Sequence, residues 1–149
     1  MAEADEQLET FIARFLPEVA ETARKAVAKL KRRLPTANRL VYDNYNALAI
    51  GFCAGEKRDD MVLSIALYPR YASLFLTNGP RLPDPDNRLE GSGSTVRHVK
   101  LKSAATLDEP AVSALIDACV AMAEPPLAQT GRGKTIIKSI SPKQRPRRP

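Results

Sequence analysis

The sequence predicts an α+β fold: a two-layer sandwich whose antiparallel sheet of four to six strands is covered on one face by N-terminal and C-terminal helices. Three observations predict it. Three apolar runs of strand length, Leu40 to Cys53, Met61 to Tyr68 and Tyr71 to Thr77, follow one another with only hairpin-sized gaps. Within these runs bulky and small residues alternate with a period of two, as side chains on a pleated strand do. On either side of them, from Leu8 to Leu30 and from Val112 to Val120, apolar residues recur at helical spacing.

Leu8, Phe11, Ile12 and Phe15, then Val19, Ala23, Ala26, Val27 and Leu30, form one amphipathic stripe. Pro17 interrupts it, because proline lacks the N–H that a helix interior needs and fits a first turn instead. The stripe therefore divides into a short helix near residues 5–15 and a longer one near 17–33. Glu18 and Glu21 at the start of the second, with Lys29, Lys31, Arg32 and Arg33 at its end, complement the helix dipole. That basic cluster has a structural explanation beside a phosphate-binding one. Pro35 stops the helix.

In the sheet, Leu48, Ile50 and Phe52, then Met61, Leu63, Ile65 and Leu67, then Ala72, Leu74 and Leu76, put bulky groups on one face, while Ala49, Gly51 and Cys53 put small groups on the other. Short connections dictate antiparallel pairing. Residues 78–94, rich in Pro, Gly and Asp, read as a long surface loop, a kind of segment that often carries function. Thr95 to Lys102 reads as a further strand, with Val99 and Leu101 inward, Val96, His98 and Lys100 on the opposite face, and Arg97 fitting neither side of the pattern. Asp108-Glu109-Pro110 opens the second covering helix, with a capping carboxylate and an early-turn proline ahead of Val112, Leu115, Ile116, Cys119 and Val120. Both helices serve the bulky face, so the other face of the sheet stays partly open.

A chain of 149 residues fits a single domain, here residues 1–124, that buries roughly two thirds of its unfolded surface without staples. The segment 125–149 reads as a basic, Pro-rich tail: Pro125-Pro126 closes the folded part, Gly131-Arg132-Gly133 is a flexible joint, Lys134 to Ile140 alternates weakly like an added edge strand, and Pro142 to Pro149 is expected to be disordered. Through Glu124 sixteen Lys and Arg face seventeen Asp and Glu, whereas the tail holds seven Lys and Arg and no acid, so the net charge of +6 belongs to the tail. Cys53 and Cys119, far apart and without a C-x-x-C motif, read as buried thiols of a cytoplasmic protein. The acidic opening segment Met1-Ala2-Glu3-Ala4-Asp5-Glu6 is neither a secretory signal nor a membrane span.

Several consecutive stretches resemble the YdhG-like family of uncharacterised bacterial α+β domains: Leu40-Val41-Tyr42-Asp43-Asn44-Tyr45-Asn46-Ala47-Leu48, Ile65-Ala66-Leu67-Tyr68-Pro69, Leu82-Pro83-Asp84-Pro85, Gly91-Ser92-Gly93, Val96-Arg97-His98, and the end of the chain from Ile137 through Arg148. The resemblance implies a frataxin-like arrangement of two helices on an antiparallel sheet, and some distant members are described as iron chaperones. An iron role needs converging oxygens not neutralised by cations, yet Glu18 and Glu21 lie beside Arg24 and Lys25, and Asp59 and Asp60 beside Lys57 and Arg58. The resemblance supplies no catalytic residue.

No catalytic or metal-binding signature stands out, and no cofactor is expected. His98 is the only histidine, which leaves a zinc or di-iron centre short of ligands and a general base without an evident partner. Gly91-Ser92-Gly93-Ser94 beside Arg97 and His98 could cradle an anion, but the segment runs into a strand rather than a helix, and glycines serve tight turns without any ligand. Tyr42, Asn44 and Asn46 fall on one side of the first strand next to Ala49 and Gly51, where polar and aromatic groups beside small ones would floor a shallow groove. The candidate ligand-binding residues are therefore Tyr42, Asn44, Asn46, Arg97 and His98. Lys143, Arg145, Arg147 and Arg148 are the candidate polyanion contacts, and without interleaved aromatics any nucleic-acid binding there is nonspecific and salt-sensitive. The sequence thus points to a non-catalytic module that uses the open sheet face and the 78–94 loop to meet a small ligand, another protein or a second copy. The alternatives are a frataxin-like iron chaperone and nonspecific nucleic-acid association through the tail.

Overall fold

A computed structural model of the chain describes residues 3–149, so Met1 and Ala2, the first two residues of the acidic opening segment, lie outside the described residues. Helices α1 (Glu3–Ile12) and α2 (Pro17–Arg33) precede strands β1 (Asn38–Asp43), β2 (Leu48–Cys53), β3 (Met61–Leu67), β4 (Ala72–Thr77) and β5 (Val96–Leu101). Helix α3 (Pro110–Ala121) and strand β6 (Thr135–Ile140) complete the fold. The sheet has the order β5-β4-β3-β2-β1-β6, and every neighbouring pair is antiparallel except β1 with β6, which is parallel. The α+β sandwich expected from the pattern is the fold observed.

The helix break falls at Pro17, which takes the first turn of α2, and α1 ends at Ile12, three residues earlier than its apolar stripe. At the other end the Leu34 N–H donates to the Leu30 carbonyl, with Lys31, Arg32 and Arg33 in the last turn. Helix α3 starts at Pro110, but the capping carboxylate expected before it is engaged elsewhere. Asp108 accepts from Lys29 at 2.6 Å and Glu109 from Arg88 at 2.6 Å, so each carboxylate ties the helix entrance to another element.

Cross-strand register explains why only one face is covered. Val41, Ile50, Ile65, Leu74 and Val99 form one row across five strands, and all of them are buried. They join Ala23, Ala26 and Leu30 of α2 and Val112, Leu115 and Ile116 of α3 in the main core. The two neighbouring rows on the other face read Leu40, Gly51, Ser64, Phe75, His98 and Tyr42, Ala49, Ala66, Ser73, Lys100. Their centres are small and no helix lies on them.

Three differences from the sequence reading have physical causes. The run Leu40 to Cys53 is two strands, because Asn44 to Ala47 form a turn in which the Asn44 N–H donates to the Ala47 carbonyl at 3.0 Å. Met61 does not share the bulky face of Leu63, Ile65 and Leu67: Phe52 pairs with Leu63 but Cys53 with Met61, and the bulge turns Met61 to the far face. There it packs with Leu40, Tyr42 and Cys53, over Gly51, where any Cβ would collide with its terminal methyl.

The third difference is the tail, which is docked. A Cβ at Gly133 would run into the Ala37 carbonyl oxygen, so this glycine marks a close backbone approach rather than a flexible joint. The buried Arg39 guanidinium then holds the start of β6, donating to Thr135 Oγ1 at 3.1 Å and to the Ala37 carbonyl at 3.3 Å. Burial lowers the pKa of Arg39 from its usual value. Residues 142–149 lie against the β1–β2 turn and the end of α1 instead of hanging free: Arg147 is only 7% exposed and pairs with the buried Asp43 at 2.8 Å. Arg148 Nε donates to the Arg14 carbonyl at 2.9 Å, tying the tail to the link between α1 and α2.

Candidate functional site

The helix-free face carries a groove of about 970 Å³. Its floor is made by Ala49, Ser64, Ala66 and Phe75, from three adjacent strands. Ala49 and Ala66 are direct cross-strand partners, as are Ser64 and Phe75, so the depression follows from side-chain size at neighbouring ladder positions. One wall is the β1–β2 turn, with Asn44, Tyr45 and Asn46, and the opposite wall is Tyr68 and Pro69 at the β3–β4 turn. Arg145, from the docked tail, closes one corner.

The turn wall is held by the tail. Tyr45 offers its carbonyl to the Arg145 N–H at 2.9 Å, and the Asn44 carbonyl accepts from Arg147 at 2.6 Å. The Ser141 N–H and the Gln144 side-chain amide both donate to the Asp43 carbonyl, at 2.8 and 3.1 Å. Buried beneath them, Asp43 Oδ1 takes the Arg147 guanidinium, and Arg14 approaches Oδ2 at 3.6 Å. Arg147 also lies 5.5 Å from the centroid of the Phe15 ring.

The far wall is aromatic. Tyr68 and Tyr71 stack with ring centroids 4.9 Å apart, and Lys100 Nζ sits 4.7 Å from the Tyr71 centroid. Burial, and then the neighbouring Tyr71, push the Tyr68 phenol above its ordinary pKa, so it stays a neutral donor at physiological pH. Beyond the floor, His98 lies against Phe75 with centroids 5.1 Å apart.

Of the five ligand-binding residues read from the sequence, Asn44 and Asn46 line the groove, but from the turn rather than from a strand. Tyr42 and His98 share the open face yet stand at the ends of neighbouring rows, four strands apart, or about 19 Å at strand spacing. Tyr42 is 8% exposed and capped by Arg58, whose guanidinium carbon is 5.5 Å from its ring centroid. Arg97 is on the other side of the sheet from His98, since it pairs with Leu76 on the helix-covered face, and its Nε donates to the Gly93 carbonyl at 2.8 Å. That bond closes the 91–93 turn and takes the arginine away from any anion held there. The groove residues missed by the sequence reading are Tyr45, Ser64, Tyr68 and Phe75. Period-two alternation puts Ser64 and Phe75 on the face away from Leu63, Ile65 and Leu74, but only the register shows that they are opposite one another.

The 78–94 loop does not line the groove. Glu90 bridges to His98 through paired backbone hydrogen bonds of 2.7 and 3.1 Å, covering part of the outer edge of β5. Asp84 accepts the Arg88 and Leu89 N–H groups at 2.8 and 2.9 Å, and Leu82 is buried in the main core. The loop is thus tied to the edge and core of the fold. Among the polyanion candidates, Arg147 is buried against Asp43, while Lys143, Arg145 and Arg148 are exposed, Arg148 donating to the Arg14 and Ala13 carbonyls. Among the described residues no three His, Cys, Asp or Glu side chains come together in a way that could hold a metal ion, and no helix is long and apolar enough to cross a membrane. No family model matches the chain, and no curated protein or solved structure matches it either.

Proposed function

We propose that this domain is a non-catalytic binding module that takes a small ligand on the open face of its sheet. The observation that carries the reading is the groove of about 970 Å³, floored by Ala49, Ser64 and Ala66 and walled by tyrosines. Small-molecule sites are concave, largely apolar and furnished with a few convergent polar groups, here Asn44, Asn46 and the Tyr68 hydroxyl. Hydrogen-bonded turns hold their backbones, Asn44 N–H to the Ala47 carbonyl and Tyr68 N–H to the Tyr71 carbonyl, which lowers the ordering cost of binding. The reading includes the YdhG-like kinship suggested by the residues quoted above and a cytoplasmic setting, which the two buried, unpaired cysteines favour. The frataxin-like iron role draws no support from the donor set, and the tail's polyanion role is weakened by the burial of Arg147.

A thermal-shift screen with intracellular metabolites tests the proposal. At least one compound should raise the melting temperature, and the shift should vanish in Ala66→Leu, which fills the floor, and in Phe75→Ala, which removes part of it. Arg97→Ala should keep the shift, because Arg97 faces the other way. No stabilising compound, or a shift that survives both groove variants, would remove the reading.

A further inference from the structure

We infer that the groove selects a flat aromatic anion, a ring carrying a single carboxylate or phosphate, with Arg145 receiving the acid group; the inference rests on the groove reading above. The groove lining holds one cation and no carboxylate. The cation is Arg145, and its surroundings differ from those of the arginines that follow it. Arg147 is bound to Asp43 and to two carbonyls, and Arg148 is bound to the end of α1. The Arg145 guanidinium, by contrast, makes no ion pair and no hydrogen bond among the described residues, and rests on the Tyr45 ring at 5.6 Å from its centroid. Its backbone is nevertheless fixed: the Arg145 N–H donates to the Tyr45 carbonyl, and the buried Arg147 anchors the chain two residues further on. A guanidinium resting on an aromatic ring beside the groove, with its planar fork unused, has the geometry to grip a planar oxyanion through two parallel hydrogen bonds.

The rest of the lining fits the ring. Phe75 in the floor and Tyr68 in the wall offer faces and edges for offset or edge-to-face stacking. Asn44 and Asn46, on the same turn as Tyr45, supply neutral donors beside Arg145, and no acid lining the groove repels the anion. A cationic ligand meets the opposite situation, with a fixed positive charge and no counter-charge.

The test is a calorimetric titration at low salt with a series that shares one ring and varies only in the polar group: 2-naphthoate, 2-naphthyl phosphate, 2-naphthamide and 2-naphthylmethylammonium. One of the two anions should bind at least tenfold tighter than the amide, the tighter of them identifying the acid group, and the ammonium should bind weakest. Arg145→Gln should reduce the anion's advantage to less than twofold while leaving the amide's affinity in place, and Arg132→Gln, a tail arginine outside the groove, should change neither. Circular dichroism melting checks that both variants remain folded. If the amide binds as tightly as the anions, the inference falls and the groove reading survives. If no member of the series binds the wild type, the inference falls as well, and the metabolite screen with Ala66→Leu and Phe75→Ala decides the groove reading separately.

Discussion

The two faces of this sheet are built from the same strands, yet they solve different problems. On the covered face, Leu48, Ile50, Leu63, Ile65, Leu67, Leu74 and Leu76 are all essentially inaccessible, and the charges there are engaged: Asp43 with Arg147, Arg39 with Thr135, and Arg97 on the edge strand with the Gly93 carbonyl. On the open face the neighbouring positions shrink to Ala49, Ser64 and Ala66, which with Phe75 floor the depression, while Tyr45 and Tyr68 stand beside it. The difference teaches that a strand's two residue sets can be read as separate messages. Large aliphatics specify what must be buried, and small residues next to aromatics specify where room is left.

The sharpest way to break the comparison is to remove the charge that the covered face tolerates. Arg147→Ala leaves Asp43 buried without its partner and should destabilise the domain by about 3–5 kcal/mol in urea unfolding. A loss within about 0.5 kcal/mol would mean that the tail is not docked. Next, Leu74→Ala on the covered face should cost about 2–5 kcal/mol, while Val96→Thr, at 40% exposure on the open face, should change stability by no more than about 0.5 kcal/mol. Equal costs would erase the distinction between the faces.

One cysteine serves each face and sharpens the comparison by chemistry. Burial pushes the Cys119 thiol, on the sheet-facing side of α3, up to about 11, and the Cys53 thiol, on the open side beside Met61, up to about 12. Neither should react with Ellman's reagent in the folded protein at pH 8. The folded-state pKa values lie above those of the exposed thiol, so the stability they contribute is complete below pH 9 and declines as pH rises towards 11 and 12. Cys53→Ala should flatten that decline relative to wild type, and prompt labelling of Cys53 at pH 8 would show that the open face is not sealed around it. The smallest effect belongs to neither face: the exposed Glu9–Arg24 pair, at 2.6 Å, should contribute about 0.2–1 kcal/mol, measured by Glu9→Gln.

Most of the scaffold was legible because periodicity reports burial directly. Pro17 divided the N-terminal stripe where α1 and α2 divide, and Val99 and Leu101 turned inward as their alternation required. The site was harder to read, because alternation assigns a face but not a neighbour. Tyr42 and His98 fall on the open face as their alternation requires, yet register sets them at its two sides, and Arg97, whose side the pattern left open, pairs with Leu76 on the covered face. Asn44 and Asn46 looked like strand residues within one long apolar run, although asparagines also signal the turn they form. In the tail the weak alternation of Lys134 to Ile140 does signal the edge strand β6, whereas residues 142–149 read as disordered for a general reason: basic, Pro-rich composition describes a disordered end well, unless a buried acid elsewhere in the sequence needs one of its arginines. Asp43, an acid in the middle of an apolar run, was the available signal.

Backbone-amide chemical-shift mapping during a titration with 2-naphthoate tests the central claim most directly. The amides that move should be those of residues 44–49, 64–68, 75 and 145, with α2 and α3 undisturbed. Shifts centred instead on Lys29, Arg33 and Asp108, where α2 ends beside the entrance to α3, would contradict the assignment of binding to the open face.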